Sequence, residues 1–157
     1  MQELTVACEE HPAMMSPQLK IWILAATWLT VKMFSISLLQ ARSRLSTGIF
    51  DQREDRRVFG HAAETAEDKE RLSRLAGCWR NDLENIPIFL LLSLPLALIS
   101  ERPAFYGALM IVFAAARTVH SYANIKALQP QRNIAYQVGN MALAGVLVLL
   151  LELVLFT

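Results

Sequence analysis

The sequence predicts an all-α integral membrane protein, a bundle of four transmembrane helices forming one domain. Of its 157 residues, 54% are hydrophobic and 18% are charged. A soluble domain of this length is rarely so apolar, and a simple helical hairpin is rarely so charged. Apolar segments of about 20 residues, the length needed to cross roughly 30 Å of hydrocarbon, recur along the chain. We place the spans at about 19–42, 74–99, 104–128 and 132–156, with one polar loop at about 43–73.

The first 18 residues are polar to mixed in character and include several acidic side chains. A cleaved signal peptide has a basic start and a short apolar core, so we expect an uncleaved leader and anchor here. The first span carries one interior charge, Lys32. Because an isolated charge in hydrocarbon is costly, Lys32 is predicted to pair across the bundle or across a subunit interface.

The second span joins a charged turn, Arg80–Asn85, to an apolar run, Ile86–Ile99. The apolar run has 14 residues and is too short to cross a bilayer, so the span must include the charged turn. At about 100° per residue, four polar side chains fall within roughly a 120° arc and share one face. They are Arg74, Arg80, Asn81 and Glu84. Such groups should face a cavity rather than lipid, although Arg80 and Glu84, four residues apart, could instead pair with each other.

The third and fourth spans each carry a polar cluster near the short connection between them. In the second half of the third span, four polar side chains fall within roughly a 100° arc: Arg117, His120, Ser121 and Asn124. A break at Gln129-Pro130-Gln131 follows. The first two turns of the fourth span then carry Arg132, Asn133, Tyr136, Gln137 and Asn140.

The distribution of lysine and arginine predicts the orientation in the membrane. Nine of the 15 basic residues lie between Arg42 and Arg80, whereas Arg102 alone lies between the second and third spans. The positive-inside rule therefore places the polar loop and the last connection in the cytosol. The three polar clusters consequently share the cytosolic leaflet, which predicts one cationic pocket opening toward the cytosol.

Several classes of function are disfavoured. The net charge of +1 gives no electrostatic case for nucleic acid. His11, His61 and His120 are scattered, so no metal site is predicted, and the two cysteines, Cys8 and Cys78, are expected to be free thiols on opposite sides of the membrane.

Arginines bind carboxylates, and a glutamate accepts an ammonium group. A small peptide with two carboxylates and one amine, such as glutathione, fits this set of side chains.

Several motifs together resemble the MAPEG family, in its branch of microsomal glutathione transferases and microsomal prostaglandin E synthase. The resemblance covers roughly Val31 to Asn140. Its motifs are Lys32-Met33, Glu54-Asp55, Arg80-Asn81-Asp82-Leu83-Glu84-Asn85-Ile86, Arg117-x-x-His120 and Pro130-x-Arg132-x-x-x-Tyr136.

The resemblance implies a homotrimer with glutathione between neighbouring subunits, near the cytosolic face and beside an opening to the lipid. It implies that Arg132 stabilises the thiolate, and we assign Tyr136 as its assistant. Together with Arg74 from the shared face of the second span, the expected glutathione contacts are Arg44 (from the adjacent subunit), Arg80, Asn81, Glu84, His120, Arg132 and Tyr136. Auxiliary positions are Asp55, Arg117, Asn124 and Asn133.

Several departures from the family pattern bear on the activity. Asn124 stands where this branch usually has a tyrosine, and Asn133 replaces a serine suggested as a thiol hydrogen-bond donor in the synthase. The second departure argues against prostaglandin isomerisation. Trp79 replaces a histidine, and Arg56 stands in place of the cysteine that senses electrophiles in the liver transferase.

We therefore expect a glutathione transferase or peroxidase that acts on lipophilic electrophiles or lipid hydroperoxides within membrane lipid. The resemblance implies the endoplasmic reticulum membrane, with the mitochondrial outer membrane as an alternative, and a site facing the cytosol. Two other functions are retained as alternative hypotheses: a prostaglandin E synthase-type isomerase and a non-catalytic lipid-binding scaffold. Individual residues also have structural readings: Arg117 as an interhelical brace, His120 as an interhelical hydrogen bonder, Tyr136 as an interfacial anchor and Cys78 as a packing residue.

Overall fold

The computed structural model describes residues 15–60, 62–63, 65–99 and 102–156, and every helix or strand assigned within this part is an α-helix. The helices are α1 (Pro17–Thr47), α2 (Arg53–Phe59), α3 (Ala66–Ile99), α4 (Pro103–Ile125) and α5 (Gln131–Phe156). All but α2 are long and apolar enough to cross a membrane. The predicted all-α fold class is therefore confirmed, and the four long helices are candidate membrane spans. The first 14 residues of the leader, Cys8 and His11 among them, lie outside the described residues, as do His61 and the turn residues Ser100 and Glu101.

The ends of α1 are set by local hydrogen bonding. The Ser16 hydroxyl accepts the Leu19 N–H at 3.2 Å, and Pro17 occupies the first turn, where its missing N–H costs nothing. At the other end, Gly48 adopts a left-handed φ of 68° and donates its N–H to the Arg44 carbonyl. The helix thus extends to Thr47, beyond the expected span.

Helix α3 begins earlier than the expected second span. The Thr65 hydroxyl accepts the Asp68 N–H at 3.1 Å and also contacts the Asp68 carboxylate, and the first turn contains Glu67 and Asp68. Acidic side chains near a helix N-terminus are favourable because they oppose the helix dipole. The segment from Ala66 to Ser73, which the sequence assigned to the polar loop, is therefore helical.

The four long helices alternate in direction, and side-chain bonds fix the pairing of α1 with α3. Ser16 donates to the Ala97 carbonyl, and the Trp22 indole donates to the Leu90 carbonyl at 3.1 Å. Lys32, further along α1, pairs with Asp82, which lies earlier in α3. As a result, the end of α1, the start of α3, the end of α4 and the start of α5 share one end of the bundle.

The core is apolar in the half of the bundle away from that end. Phe89 of α3 and Phe113 of α4 stack with ring centroids 3.6 Å apart, beside the fully buried Tyr106 and Met110. Large apolar side chains also remain exposed along every long helix, for example Leu24, Leu91, Ile111 and Val154. Such a surface is stable in contact with lipid, as expected for a multi-pass membrane protein.

Candidate functional site

The three polar clusters predicted from the sequence meet at one end of the bundle. Arg74 of α3 bonds to Asn124 of α4 in both directions, and Arg132 of α5 donates to the same asparagine. One to two turns deeper, Arg117 of α4 bonds to side chains of α3 and α5. The expected convergence is therefore present within a single chain for these side chains.

Arg117 lies deeper in the bundle than Asn124 and is fully buried. Its Nη1 donates to Asn81 Oδ1 at 2.9 Å, and its Nη2 donates to Asn85 Oδ1 at 2.8 Å and to Asn140 Oδ1 at 3.2 Å. We call these four residues the Arg117 cluster. The guanidinium thus joins three helices through neutral amide oxygens, which agrees with an interhelical brace.

Gly139 leaves the space that the Arg117 guanidinium occupies. A Cβ added at Gly139 would lie 3.1 Å from Arg117 Nε and Nη2 and 3.3 Å from Cζ. The guanidinium also lies over the rings of Phe113 and Tyr136, with Cζ 5.2 Å and 5.5 Å from their centroids. The guanidinium is therefore enclosed between a helix backbone and two aromatic rings.

Replacing Gly139 by alanine is expected to give a free energy of unfolding about 1–3 kcal/mol lower than replacing Gly77 by alanine, because the methyl group added at Gly139 overpacks a guanidinium held by three amides. Gly77→Ala is the matched control. Its added Cβ meets only Asn124 Nδ2 at 3.7 Å, and a helical Gly→Ala change is favourable by roughly 0.5–1 kcal/mol. Reversible unfolding in detergent micelles measures both variants. Equal stability of the two would contradict the close contact.

A buried charge pair lies beside the Arg117 cluster. Lys32 Nζ lies 2.5 Å from Asp82 Oδ1, and both side chains are at least nine-tenths buried. The pair joins α1 to α3, so the prediction that Lys32 pairs across the bundle is confirmed. The second oxygen, Asp82 Oδ2, is buried and has no hydrogen-bond partner among the residues that the structure describes.

Nearer the end of the bundle, Asn124 makes side-chain hydrogen bonds to residues of α3 and α5. Its Oδ1 accepts from Arg132 Nη1 at 3.1 Å, and its Nδ2 donates to the Arg74 carbonyl and to Cys78 Sγ, both at 3.1 Å. We call these four residues the Asn124 cluster. Cys78 is a buried free thiol that also donates to the Ser121 carbonyl at 3.6 Å.

His120 and Tyr136 lie between the Arg117 cluster and the Asn124 cluster. Their ring centroids are 6.1 Å apart and the rings are tilted by 50°. His120 is buried, and its Nδ1 has no hydrogen-bond partner in the described part of the chain. Within the described part of a single chain, His120 therefore makes no interhelical hydrogen bond through Nδ1.

Arg80 and Glu84 are exposed on the outer side of α3, and neither makes an ion pair or hydrogen bond within the described residues. They do not pair with each other. The predicted shared face spans about 120° of the helix, which is wide enough to include both a buried edge and an exposed one. Asn81 lies on the buried edge, whereas Arg80 and Glu84 lie on the exposed edge.

The remaining predicted site residues lie around these centres. Arg44, at the end of α1, pairs with the exposed Asp51 at 3.1 Å. Asp55 is half-buried in α2, and Asn133 is exposed in the first turn of α5. Within the described ranges, no three His, Cys, Asp or Glu side chains converge as they would around a metal ion.

The sequence interpretation gave no site role to four residues that build these networks: Asp82, Asn85, Asn140 and Gly139. Two of them carried a usable signal. Asn85 follows Asn81 by one helical turn, so both amides can face the same partner. Asp82 is an acid in the second span, where the isolated Lys32 of the first span required one.

Apolar grooves flank α4 outside the polar end. The groove between α4 and α5 has a volume of about 450 Å³ and is lined by Val112, Val119, Ile134 and Val138 among others. It reaches Gln131, the residue before Arg132. A larger groove of about 590 Å³ lies between α1 and α4, where Trp28 donates to the Thr118 hydroxyl.

Comparison with known proteins places these observations in a family context. The sequence model of the MAPEG family matches residues 22–151. Prostaglandin E synthase of Equus caballus is 30% identical over 135 residues, which cover 85% of this chain and 88% of the relative. The Homo sapiens protein of that name is 27% identical over 133 residues, 84% of this chain and 87% of the relative. Microsomal glutathione S-transferase 1 of Mus musculus is 34% identical over 120 residues, 73% of this chain and 76% of the relative.

Proposed function

The chain belongs to the MAPEG family, and from that membership we propose that it is a membrane-bound glutathione transferase and glutathione peroxidase. In this proposal, glutathione binds at the end of the bundle where the polar clusters meet. The protein stabilises the thiolate of glutathione and presents it to a lipophilic electrophile or a lipid hydroperoxide. The relative named microsomal glutathione S-transferase 1 supports this choice.

The observation that carries the proposal is the environment of Arg132. Its guanidinium is half-buried and is held by the neutral Asn124 oxygen at 3.1 Å, and no carboxylate pairs with it within the described residues. Its positive charge is therefore not compensated by an ion pair. A cation in such a position stabilises a nearby thiolate relative to the thiol.

Ionisation of the thiol is the chemical step that this charge assists. A thiol of pKa about 8.5 is only about 3% ionised at pH 7, whereas a pKa of about 7 makes it half ionised. In conjugation, the sulfur attacks an electrophilic carbon, a C–S bond forms and the leaving group departs, while the thiol proton passes to solvent. In peroxide reduction, two glutathione molecules are oxidised to the disulfide and the hydroperoxide is reduced to an alcohol and water.

The exposed residues of α3 support a site completed by a neighbouring copy. Arg80 and Glu84 are charged, have no partner among the described residues, and belong to a helix that is long and apolar enough to span a membrane. Against lipid such charges are costly, so a homotrimer that covers them and adds Arg44 from the adjacent subunit removes that cost. Glu84 then accepts the ammonium group of glutathione and Arg80 binds a carboxylate. Arg74, Asn81, His120 and Tyr136 complete the proposed contacts.

The second substrate is proposed to arrive from the bilayer. Gln131, the sequence neighbour of the residue that is proposed to hold the thiolate, is one of the residues that line the apolar groove between α4 and α5. A lipophilic electrophile lying in this groove approaches the sulfur without crossing the aqueous phase. The excess of basic residues around the polar loop supports a site facing the cytosol, and we propose the endoplasmic reticulum, or alternatively the mitochondrial outer membrane, as its location.

A prostaglandin E synthase-type isomerase is the second candidate. The Equus caballus synthase is 30% identical to this chain, which favours it. Asn133, exposed at the start of α5, stands in place of the serine that the family resemblance associates with isomerisation. A lipid-binding scaffold without catalysis is the third, and the uncompensated charge of Arg132 disfavours it.

Calorimetry and turnover on the purified protein separate the three candidates. We expect glutathione to bind and to react with a small chloronitroaromatic acceptor, with no reaction from S-methylglutathione, which lacks the thiol. Turnover with a prostaglandin endoperoxide but not with the chloronitroaromatic or a lipid hydroperoxide would favour the isomerase. Absence of both glutathione binding and turnover would contradict the proposed function and favour the scaffold.

A further inference from the structure

We propose that Asn124 is a positioning residue that fixes the Arg132 guanidinium for its role toward the glutathione thiolate. The inference rests on the proposed function and adds a residue to it. In this role Asn124 does not touch the thiol; it acts through Arg132. The family resemblance leads to a tyrosine at this position, and a tyrosine could not form the amide contacts described below.

The orientation of the Asn124 amide is set by α3. The Arg74 carbonyl can only accept hydrogen bonds, so the amide nitrogen must face it. The second N–H of the same nitrogen is directed at Cys78 Sγ. With both donors used toward α3, Oδ1 faces α5 and accepts from Arg132 Nη1. Asn124 is buried with 8% of its surface exposed, so competition from water is small.

A neutral oxygen holds Arg132 without cancelling its charge. An aspartate or glutamate at this point would fix the guanidinium equally well but would neutralise it electrostatically. Gln129 provides a second neutral contact. With its amide oxygen turned toward Arg132, that oxygen accepts from Nη2 at 2.6 Å and from Nε at 3.0 Å.

The two amides leave part of the guanidinium unoccupied. An arginine has five N–H donors, and three of them are used by Asn124 and Gln129. One N–H donor remains on Nη1 and one on Nη2, so the guanidinium is fixed in orientation but can still bind a sulfur anion. The hydrogen bonds from α3 to Asn124 and from Asn124 to Arg132 therefore restrict the long arginine side chain while preserving its charge and two of its donors.

The test is the apparent pKa of protein-bound glutathione, read from thiolate ultraviolet absorbance during a pH titration of the full-length protein in detergent or nanodiscs. Asn124→Ala is expected to raise this pKa by about one unit, because the cation is no longer held beside the sulfur. Asn124→Asp is expected to raise it as well, since it retains the shape and the contact to Arg132 but adds a negative charge. Ser121→Ala, one turn earlier on the same buried face, is the control and should leave the pKa unchanged.

A merely structural role for Asn124 gives a different result. It would reduce the amount of folded, binding-competent protein in Asn124→Ala without moving the pKa of the glutathione that binds, and this outcome would overturn the inference. If the alanine variant fails to fold, Asn124→Asp still tests the contact to Arg132, and an unmoved pKa in that variant also overturns the inference. Wild-type protein that gives no thiolate signal overturns the proposed function together with the inference. A pKa that rises in Arg132→Ala but not in Asn124→Ala overturns the inference alone.

Discussion

Replacing Arg117 by leucine is expected to lower the free energy of unfolding by about 4 kcal/mol, the largest loss of stability that we predict for one substitution. Three interhelical hydrogen bonds are lost, at roughly 0.6–2 kcal/mol each within a membrane bundle. The amide oxygens of Asn81, Asn85 and Asn140 would be left without their donor. Reversible unfolding in mixed micelles, followed by circular dichroism, measures the change.

Arg117→Lys is the matched variant for the same site. Lysine retains the charge, but its ammonium is a compact donor that cannot reproduce the planar fork joining three amides. We expect it to recover about half of the lost stability, in line with one or two hydrogen bonds of the size given above. A lysine variant as stable as wild type would contradict the three-amide arrangement.

Replacing Arg132 by alanine is expected to reduce the glutathione conjugation rate at pH 7 by about 15-fold, with a smaller deficit at higher pH. The first figure is the ratio between a thiol half ionised at a pKa of about 7 and one about 3% ionised at its ordinary pKa of about 8.5. At pH 9 the free thiol is mostly ionised without assistance, so the two proteins should differ by less than about twofold. Initial rates across this pH range measure the effect.

Arg132→Lys separates charge from geometry in the same experiment. Because it retains the cation, it should recover part of the rate at pH 7, although it lacks the fork that Asn124 and Gln129 hold. A deficit in Arg132→Ala that stays constant from pH 7 to pH 9 would mean that Arg132 contributes to binding alone. That result would contradict a role in thiol ionisation.

Much of the fold could be predicted from composition and periodicity. The four spans followed from hydrophobic length, and the meeting of three polar clusters at one end followed from alternating helix directions. The pairing of Lys32 across the bundle followed from the cost of an isolated charge. These predictions need only the positions of polar residues along each helix, and the contacts of Arg74, Arg117 and Arg132 agree with them.

The partners within the site could not be predicted in the same way. A 120° arc on α3 could not distinguish Asn81, which faces the bundle, from Arg80 and Glu84, which face outward. That division depends on where α4 and α5 lie around α3. The hydrogen bonds of Asn124 could not be predicted from the sequence either. An asparagine in place of a tyrosine indicates that a ring contact is lost, but it does not indicate which hydrogen bonds the amide forms instead.

The central claim is that the convergent polar ends of α3, α4 and α5 form a cationic site that ionises bound glutathione. The ultraviolet difference spectrum at pH 7 on adding glutathione to purified protein tests it most directly. We predict a thiolate band in wild type that is absent with S-methylglutathione and strongly reduced in Arg132→Ala. Glutathione that binds measurably but gives no thiolate band, or a band of equal size in wild type and Arg132→Ala, would contradict the account.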